Sequence, residues 1–279
     1  MTVYFCGIYQ YNRKMKKLLI LIAMFSAFAV QAQDRLFTYT YQSTVLNKGQ
    51  KELEVWTTFQ NGRNNYFRGL QNRLEFEIGL GSNLQTAFYL NSAYSKGIIE
   101  NDGKQSVESK TKFSFSNEWK FKITDPVANI IGTGVYFEYT ISPADIELEG
   151  KLIFDKKIGK TVQALNIVGE VEFETEFEPE GDKIEVETES EKALNFNYAF
   201  ALQAARGLAI GFEVRNQNGF SGSKLEYSVL SAGPCISYSF NGFWLNLTVM
   251  PQITDFTIGT RELSSHEKLQ ARVIFSYVF

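Results

Sequence analysis

The sequence predicts an all-β fold: a transmembrane, antiparallel, up-and-down β-barrel of about 12 strands over residues 33–279. Three observations predict it. Apolar and polar residues alternate with the two-residue period of a strand through most of the chain. Many alternating segments exceed ten residues; strands of soluble proteins are mostly about five or six long, whereas a tilted membrane strand needs roughly nine to eleven in hydrocarbon alone. The connections alternate between short turns and longer polar stretches, with an even strand count.

The front of the chain sets the compartment. Lys16 and Lys17 form a basic start, residues 18–30 an apolar run, and Val30-Gln31-Ala32 a small-residue cleavage site. Residues 1–32 therefore read as a secretion signal, with Met15 the better start and Gln33 the first mature residue. The apolar run is shorter than the roughly 20 residues of a membrane helix. Removing 1–32 takes away Arg13, Lys14, Lys16 and Lys17, leaving 24 Lys and Arg against 31 Asp and Glu, a net charge of −7. That balance excludes nucleic acid as a partner. Cys235 becomes the sole cysteine, which excludes an intrachain disulfide and, with no Cys at the cleavage site, a lipoprotein anchor.

The strands follow in order. Residues 51–62 alternate Glu52 and Glu54 with Leu53 and Val55; residues 66–80 alternate Arg73, Glu75 and Glu77 with Leu74, Phe76 and Ile78. The third segment, 84–95, turns Tyr89 inward. The fourth, 109–123, sets Lys110, Lys112, Glu118, Lys120 and Lys122 against Phe113, Phe115, Trp119 and Phe121. Residues 128–142 carry Tyr136 and Glu138 inward, 144–158 carry Glu147, Glu149 and Lys151, and 161–178 hold an acidic ladder. Residues 185–204 alternate Asn195 and Asn197 with Phe196, Tyr198 and Phe200, and 208–218 carry Glu213 and Arg215 inward. Residues 224–240 contain Cys235, read as a small packed residue. Residues 243–255 set Trp244, Asn246 and Thr248 against Phe243, Leu245 and Leu247. The last, 266–279, has Leu269, Ala271, Val273, Phe275, Tyr277 and Phe279 on one face and Gln270, Arg272 and Ser276 on the other.

Short turns are expected at 79–83, 124–126, 157–160, 205–207 and 241–242, where Gly, Asn, Asp and Pro cluster. Longer connections are expected near 61–66, 96–109, 179–187, 217–224 and 254–266, with a short exception at 142–144. Both termini then lie on the short-turn, periplasmic side. A soluble barrel would turn the aromatics inward, but twelve strands enclose more space than side chains fill.

A strand ending on Phe279 behind a secretion signal resembles the closing strand of bacterial outer-membrane barrels, the feature such proteins offer to the barrel assembly machinery. The opening Leu46-Asn47-Lys48-Gly49-Gln50-Lys51-Glu52-Leu53-Glu54 is similar to that of the phenol-degradation MetA-type transporter family. Asn72-Arg73-Leu74-Glu75-Phe76-Glu77-Ile78-Gly79-Leu80-Gly81 is similar to that family's Glu-rich, Gly-ended second strand. The aromatic-rich strands and the Gln after the cleavage site are in the style of Bacteroidota secreted proteins. The resemblance implies transport across the outer membrane.

The most unusual local feature is the ladder. Glu170, Glu172, Glu174, Glu176 and Glu178 occupy alternate positions, and Glu185, Glu187, Glu189 and Glu191 return after a turn. Like charges opposed across a sheet are destabilising. Either the ladder forms a cation-attracting vestibule, or it is a solvated hairpin beyond the membrane. A dedicated calcium site there is disfavoured, because such sites want oxygens converging from a folded loop. The expected selectivity residues are Glu170, Glu172, Glu174, Glu187, Glu189 and Glu191, faced by Lys110, Lys112, Lys120, Arg73, Arg215 and Arg272. Tyr136 and Trp244, with Tyr89, are inward aromatics placed to touch a solute. Trp119, Phe121, Tyr198, Phe200, Phe243, Tyr277 and Phe279 suit girdles against outer-membrane lipid.

The function expected is a channel or transporter for a small solute, without a cofactor or metal; the alternative is a closed structural or adhesive barrel. A lipid-modifying enzyme is the third class. His266 is the sole histidine, beside Ser264 and Ser265, but no G-x-S-x-G elbow is present, so no catalytic residue is assigned. Whether the mixed lining of the lumen leaves it open or plugged is not legible from period.

Overall fold

The computed structural model describes residues 35–101, 104–180 and 183–279. The expected signal segment, with Met15, lies outside them. Twelve strands form: β1 Lys51–Asn61, β2 Phe67–Gly81, β3 Leu84–Asn101, β4 Lys104–Thr124, β5 Gly132–Ile141, β6 Asp145–Ile158, β7 Thr161–Glu180, β8 Lys183–Ala205, β9 Leu208–Ser221, β10 Lys224–Phe240, β11 Phe243–Asp255 and β12 Leu269–Val278. Each pairs with its sequence neighbours, and β12 returns to β1, closing the barrel. The closing seam is antiparallel and runs from Glu52 opposite Val278 to Asn61 opposite Leu269.

Alternation sorts the side chains as a membrane barrel requires. Leu53, Val55, Leu74, Phe113, Trp119, Leu245 and Phe275 are exposed on the outside, while Glu52, Glu54, Glu75, Glu118, Asn166, Glu213, Asn246 and Ser276 are buried inside. A soluble β-protein does the reverse. Outward aromatics near the barrel seam stack: Phe243 on Tyr277 at 4.4 Å between centroids, and Tyr277 on Phe279 at 5.8 Å. The tight turns follow their residues. Asn241 and Gly242 both take positive φ, 49° and 84°, which the right-handed twist of a two-residue hairpin demands.

Two expectations need correction. The polar stretches near 96–109 and 179–187 are not long loops; they are hairpin ribbons that pair as strands up to Asn101 opposite Lys104 and Glu180 opposite Lys183. β6 follows β7 only as far as Glu174, and β9 meets β8 only from Lys192 onward. In the backbone ladder residues 176–191 thus pair only across the β7–β8 ribbon. Where side chains are described, at 104–107 and 188–191, consecutive residues are exposed, so water reaches both faces without breaking the backbone ladder. The turn after β4 is also longer than expected, and β5 begins at Gly132 rather than 128. There Asp125 accepts from the backbone N–H groups of Val127 and Ala128, at 2.9 and 3.1 Å, and these bonds hold its carboxyl below the ordinary range.

The lumen is occupied. Residues 35–46, which precede β1, fold into it as an irregular loop, with Phe37, Thr38, Thr40 and Ser43 wholly inaccessible to solvent.

Candidate functional site: the barrel lumen

The lumenal segment is held by side chains of the wall rather than by a backbone ladder. Glu213 on β9 accepts the N–H groups of Thr38, Tyr39 and Thr40 at 2.8, 2.9 and 2.9 Å, and the hydroxyls of Thr38 and Thr248 at 3.0 and 2.6 Å. Asn166 on β7 grips Tyr41 by both backbone groups, accepting its N–H at 2.6 Å and donating to its carbonyl at 2.9 Å. Asp155 accepts from Ser43 N–H at 3.3 Å, and Gln85 from Leu46 N–H at 2.9 Å. Gly132 keeps the wall clear here, because a Cβ on it would lie 2.8 Å from Ser43 Oγ.

Two aromatic side chains lock the segment further. Phe37 fills a socket of small residues, Val162, Ala164, Ala199, Ala201, Ala209 and Cys235. Tyr41 joins Trp56, Tyr136, Ile153, Trp244 and Ile274 in a second cluster, edge-on to Tyr136 at 5.2 Å. Arg35 lies over the rings of Tyr41 and Trp56 at 4.3 and 4.4 Å, and its Nη1 is 3.5 Å from Glu54.

The segment divides the lumen. On the side away from the termini lies a cavity of about 310 Å³ with Tyr39, Tyr41 and Trp56 in its lining and Arg73, Lys112, Glu138, Glu147, Glu149, Lys151, Glu170, Arg215 and Arg272 around it. On the termini side is a space of only about 30 Å³ bounded by Arg35, Glu52, Glu54, Glu77, Gln85, Lys120 and Trp244. A mixed, closely paired field lines the larger cavity. Arg73 donates to Asn91 at 2.9 Å and Glu138 at 3.1 Å, and Lys151 pairs with Glu149 at 2.6 Å. Arg215 and Arg272 both lie over Tyr39, at 4.5 and 4.1 Å.

Of the residues singled out from sequence, Arg73, Lys112, Glu170, Arg215 and Arg272 meet at the large cavity. Glu170 accepts from Asn195 at 3.0 Å. Lys112 stands at the rim, bridging Asp145 and, at 3.5 Å, Glu172. Glu189 and Glu191 are exposed on the ribbon, where Glu189 opposes Glu174 and Glu191 opposes Glu172. Glu187 opposes Glu176 in the backbone ladder, and its side chain lies outside those described. Lys110 is exposed and pairs with Glu108 at 3.6 Å. Lys120 is buried on the termini side. Tyr136 and Trp244 are packed against the segment rather than facing the large cavity: Tyr136 bonds to Glu138, and Trp244 donates to Glu52 at 2.5 Å. The aromatics that line the large cavity are Tyr39, Tyr41 and Trp56, the first two of which belong to the lumenal segment.

Sequence reasoning missed that segment. A signal was present: the inward face of β8 changes from Asn195 and Asn197 to Ala199 and Ala201, and Ala164 and Ala209 join them. Small apolar residues on a lumenal wall mean that something fills the space.

His266 has no catalytic geometry. Its Nδ1 meets both Ser265 Oγ at 3.0 Å and Glu262 at 2.8 Å, whereas a relay needs base and orienting acid on opposite ring nitrogens. Its ring packs edge-on against Tyr227 at 4.4 Å.

Fold and lumen together define an antiparallel barrel of the outer-membrane type, its lumen crossed by the residues that precede β1. The chain belongs to a family of unknown function, DUF6662, whose model matches residues 29–279. No curated protein matches it. Among solved structures it is similar to the COG4313 outer membrane channel from Pseudomonas putida F1, at 9% identity and TM-score 0.58, covering 87% of this chain and 100% of that one. It is also similar to the translocator domain of the autotransporter NalP from Neisseria meningitidis, at 9% identity and TM-score 0.55, covering 96% and 98%. A third similar structure is the NanC porin, at 7% identity and TM-score 0.50, covering 81% and 98%. At these identities the likeness is one of fold.

Proposed function

We propose that this protein is an outer-membrane channel for a small solute, moved passively or by facilitated diffusion, and closed at rest by residues 35–46. The observation that carries this reading is the β1–β5 side of the wall behind the segment. It stays polar from Glu52, Glu77 and Gln85 near the termini, through Glu75 and Glu118, to Arg73 and Glu138 at the far cavity, while the apolar socket for Phe37 is confined to the β7–β10 side. A continuous polar track along one side suits a passage for water and solute. The segment is attached by side-chain bonds and two aromatic plugs, which can detach without breaking the barrel ladder. In this reading the termini face the periplasm, the apolar belt meets outer-membrane lipid, and the strand ending in Phe279 is offered to the assembly machinery. The likeness to the Pseudomonas putida channel and the MetA-type motifs support the same direction.

The second reading is a closed structural or adhesive barrel, favoured by the burial of residues 37–41 within the lumen. Single-channel conductance in planar bilayers separates the two. The full-length protein should show rare openings, and deletion of 35–46 a steady conductance with solute uptake into liposomes. A deletion variant that folds, migrates heat-modifiably on gels and still does not conduct decides for the closed barrel.

A further inference from the structure

The inward faces of β1 and β2 hold an acidic group that the ladder on β7 and β8 does not include. Glu54 stands directly opposite Glu75, and Glu52 opposite Glu77. Opposed like charges weaken a sheet, and here they are also withdrawn from water: Glu54 and Glu75 are 2% and 0% exposed. Burying charge without compensation is costly, so the arrangement calls for a counter-charge.

We propose that Glu54, Glu75 and Glu77 bind a divalent cation of calcium size in the barrel wall. One carboxylate oxygen from each lies within 4.8 Å of the other two. Oxygens no more than 4.8 Å apart share a centre within about 2.8 Å of each, so the roughly 2.3–2.6 Å of calcium–oxygen bonds is reached with at most a small side-chain adjustment. Magnesium, at about 2.0–2.1 Å and strictly octahedral, fits less well. The ligands are all carboxylate oxygens, without the imidazole or thiolate that selects zinc or copper.

An independent observation points to the same place. Both oxygens of the Glu75 carboxylate, fully buried, lack any hydrogen-bond donor. Its neighbours are held: Glu54 accepts from the Trp56 indole at 2.6 Å, and Glu77 from Gln85 at 2.8 Å. Glu75 has no donor of its own and lies within hydrogen-bond distance of the Glu77 carboxyl, a contact that needs a shared proton or a cation to hold it. A divalent ion also relieves the local charge. Glu52, Glu54, Glu75, Glu77 and Glu118 stand against Arg35 and Lys120, an excess of three negative charges, of which one divalent ion offsets two. Glu52 accepts hydrogen bonds from Trp244 and Ser276. The space of about 30 Å³ bounded by Glu54 and Glu77 accommodates one water to extend the coordination.

The test uses the full-length protein in detergent, stripped with chelator and titrated with Ca²⁺ by calorimetry, and with Tb³⁺ read by luminescence under tryptophan excitation. Trp56, bonded to Glu54, is the natural antenna. One Ca²⁺ per chain, Tb³⁺ luminescence that Ca²⁺ quenches by competition, and a melting temperature that rises with Ca²⁺ are expected. Glu75→Gln should weaken binding at least tenfold while remaining a heat-modifiable barrel, since it removes an unpaired buried charge. Glu189→Gln plus Glu191→Gln, on the exposed ribbon, should leave binding intact. Absence of binding to the parent at millimolar Ca²⁺ would show that the carboxyls share protons instead and would overturn the site. So would binding that survives Glu75→Gln, or that disappears with the ribbon variant. If Glu75→Gln does not fold, Glu77→Gln takes its place with the same expected loss.

Discussion

Among the described wall residues, Glu213 makes the most hydrogen bonds to the lumenal segment. Its carboxylate accepts three consecutive backbone N–H groups of the lumenal segment, from Thr38, Tyr39 and Thr40, together with two hydroxyls. In Glu213→Ala those three N–H groups lose their acceptor in a buried site. Each unsatisfied group costs about 1–3 kcal/mol, so the docked state loses at least about 3 kcal/mol. That corresponds to roughly a hundredfold shift toward the undocked state. Glu213→Gln retains one acceptor oxygen and presents an amide donor to the remaining N–H groups, so its effect should be intermediate, near tenfold. The assay is the fraction of time open in planar bilayers, with deletion of 35–46 defining the open level. Maleimide labelling of Cys235 gives a second readout, because this buried thiol lies in the Phe37 socket. Barrel melting should change little, since Glu213 contributes no strand pairing through its side chain. If the deletion opens the pore while Glu213→Ala leaves both open fraction and Cys235 labelling at parental values, the anchoring role is wrong.

Three further outcomes are expected. Phe37→Ala empties a fully buried aromatic site, a change that costs about 3–5 kcal/mol in packed interiors, and should raise Cys235 labelling as strongly as Glu213→Ala does; unchanged labelling would show the socket is dispensable. If the open barrel conducts, replacing Glu170, Glu172, Glu174, Glu187, Glu189 and Glu191 by Gln should lower its cation preference at low salt and fade above 0.1 M, where screening acts over about 10 Å; Glu170→Gln alone should carry most of the change, as Glu170 lines the cavity, and an undiminished reversal potential in the sixfold variant would refute it. In the β11–β12 loop, burial pushes the Glu262 carboxyl up but hydrogen bonds from Ser264, His266 and Ser265 outweigh it, bringing it down to about 2 from an ordinary 4.5. The order this carboxylate gives the loop is therefore fully present above about pH 4.5 and is lost as the pH falls toward 2; the His266 ring contact with Tyr227, followed by NMR, should loosen over that window in the parent and show no such transition in Glu262→Gln.

The twelve strands were legible because alternation is a local property. Leu53 and Val55 against Glu52 and Glu54, or Phe113 and Phe115 against Lys112 and Ser114, mark a strand and its two faces without knowledge of any partner. The ribbons at 96–109 and 179–187 were misread for the same reason: a polar stretch carries no apolar alternation, and polarity cannot distinguish a coil from a paired strand. The ladder's Glu170 lines the cavity while Glu189 and Glu191 stand on a ribbon outside, a division that nothing in their common spacing foretold.

By itself, the sequence determined that this chain is a closed antiparallel barrel with an apolar exterior and a charged interior, because each strand carries that division in its own two-residue period. Only the tertiary structure decided what the interior holds. Leu36-Phe37-Thr38-Tyr39-Thr40-Tyr41 alternates like another strand, but its contacts are Glu213, Asn166 and the alanine socket, more than a hundred residues distant along the chain. Glu54, Glu75 and Glu77 likewise read as ordinary polar positions until β1 and β2 come into register and close off the water around them. Both depend on barrel closure, which brings distant inward faces within hydrogen-bond reach and removes solvent from between them.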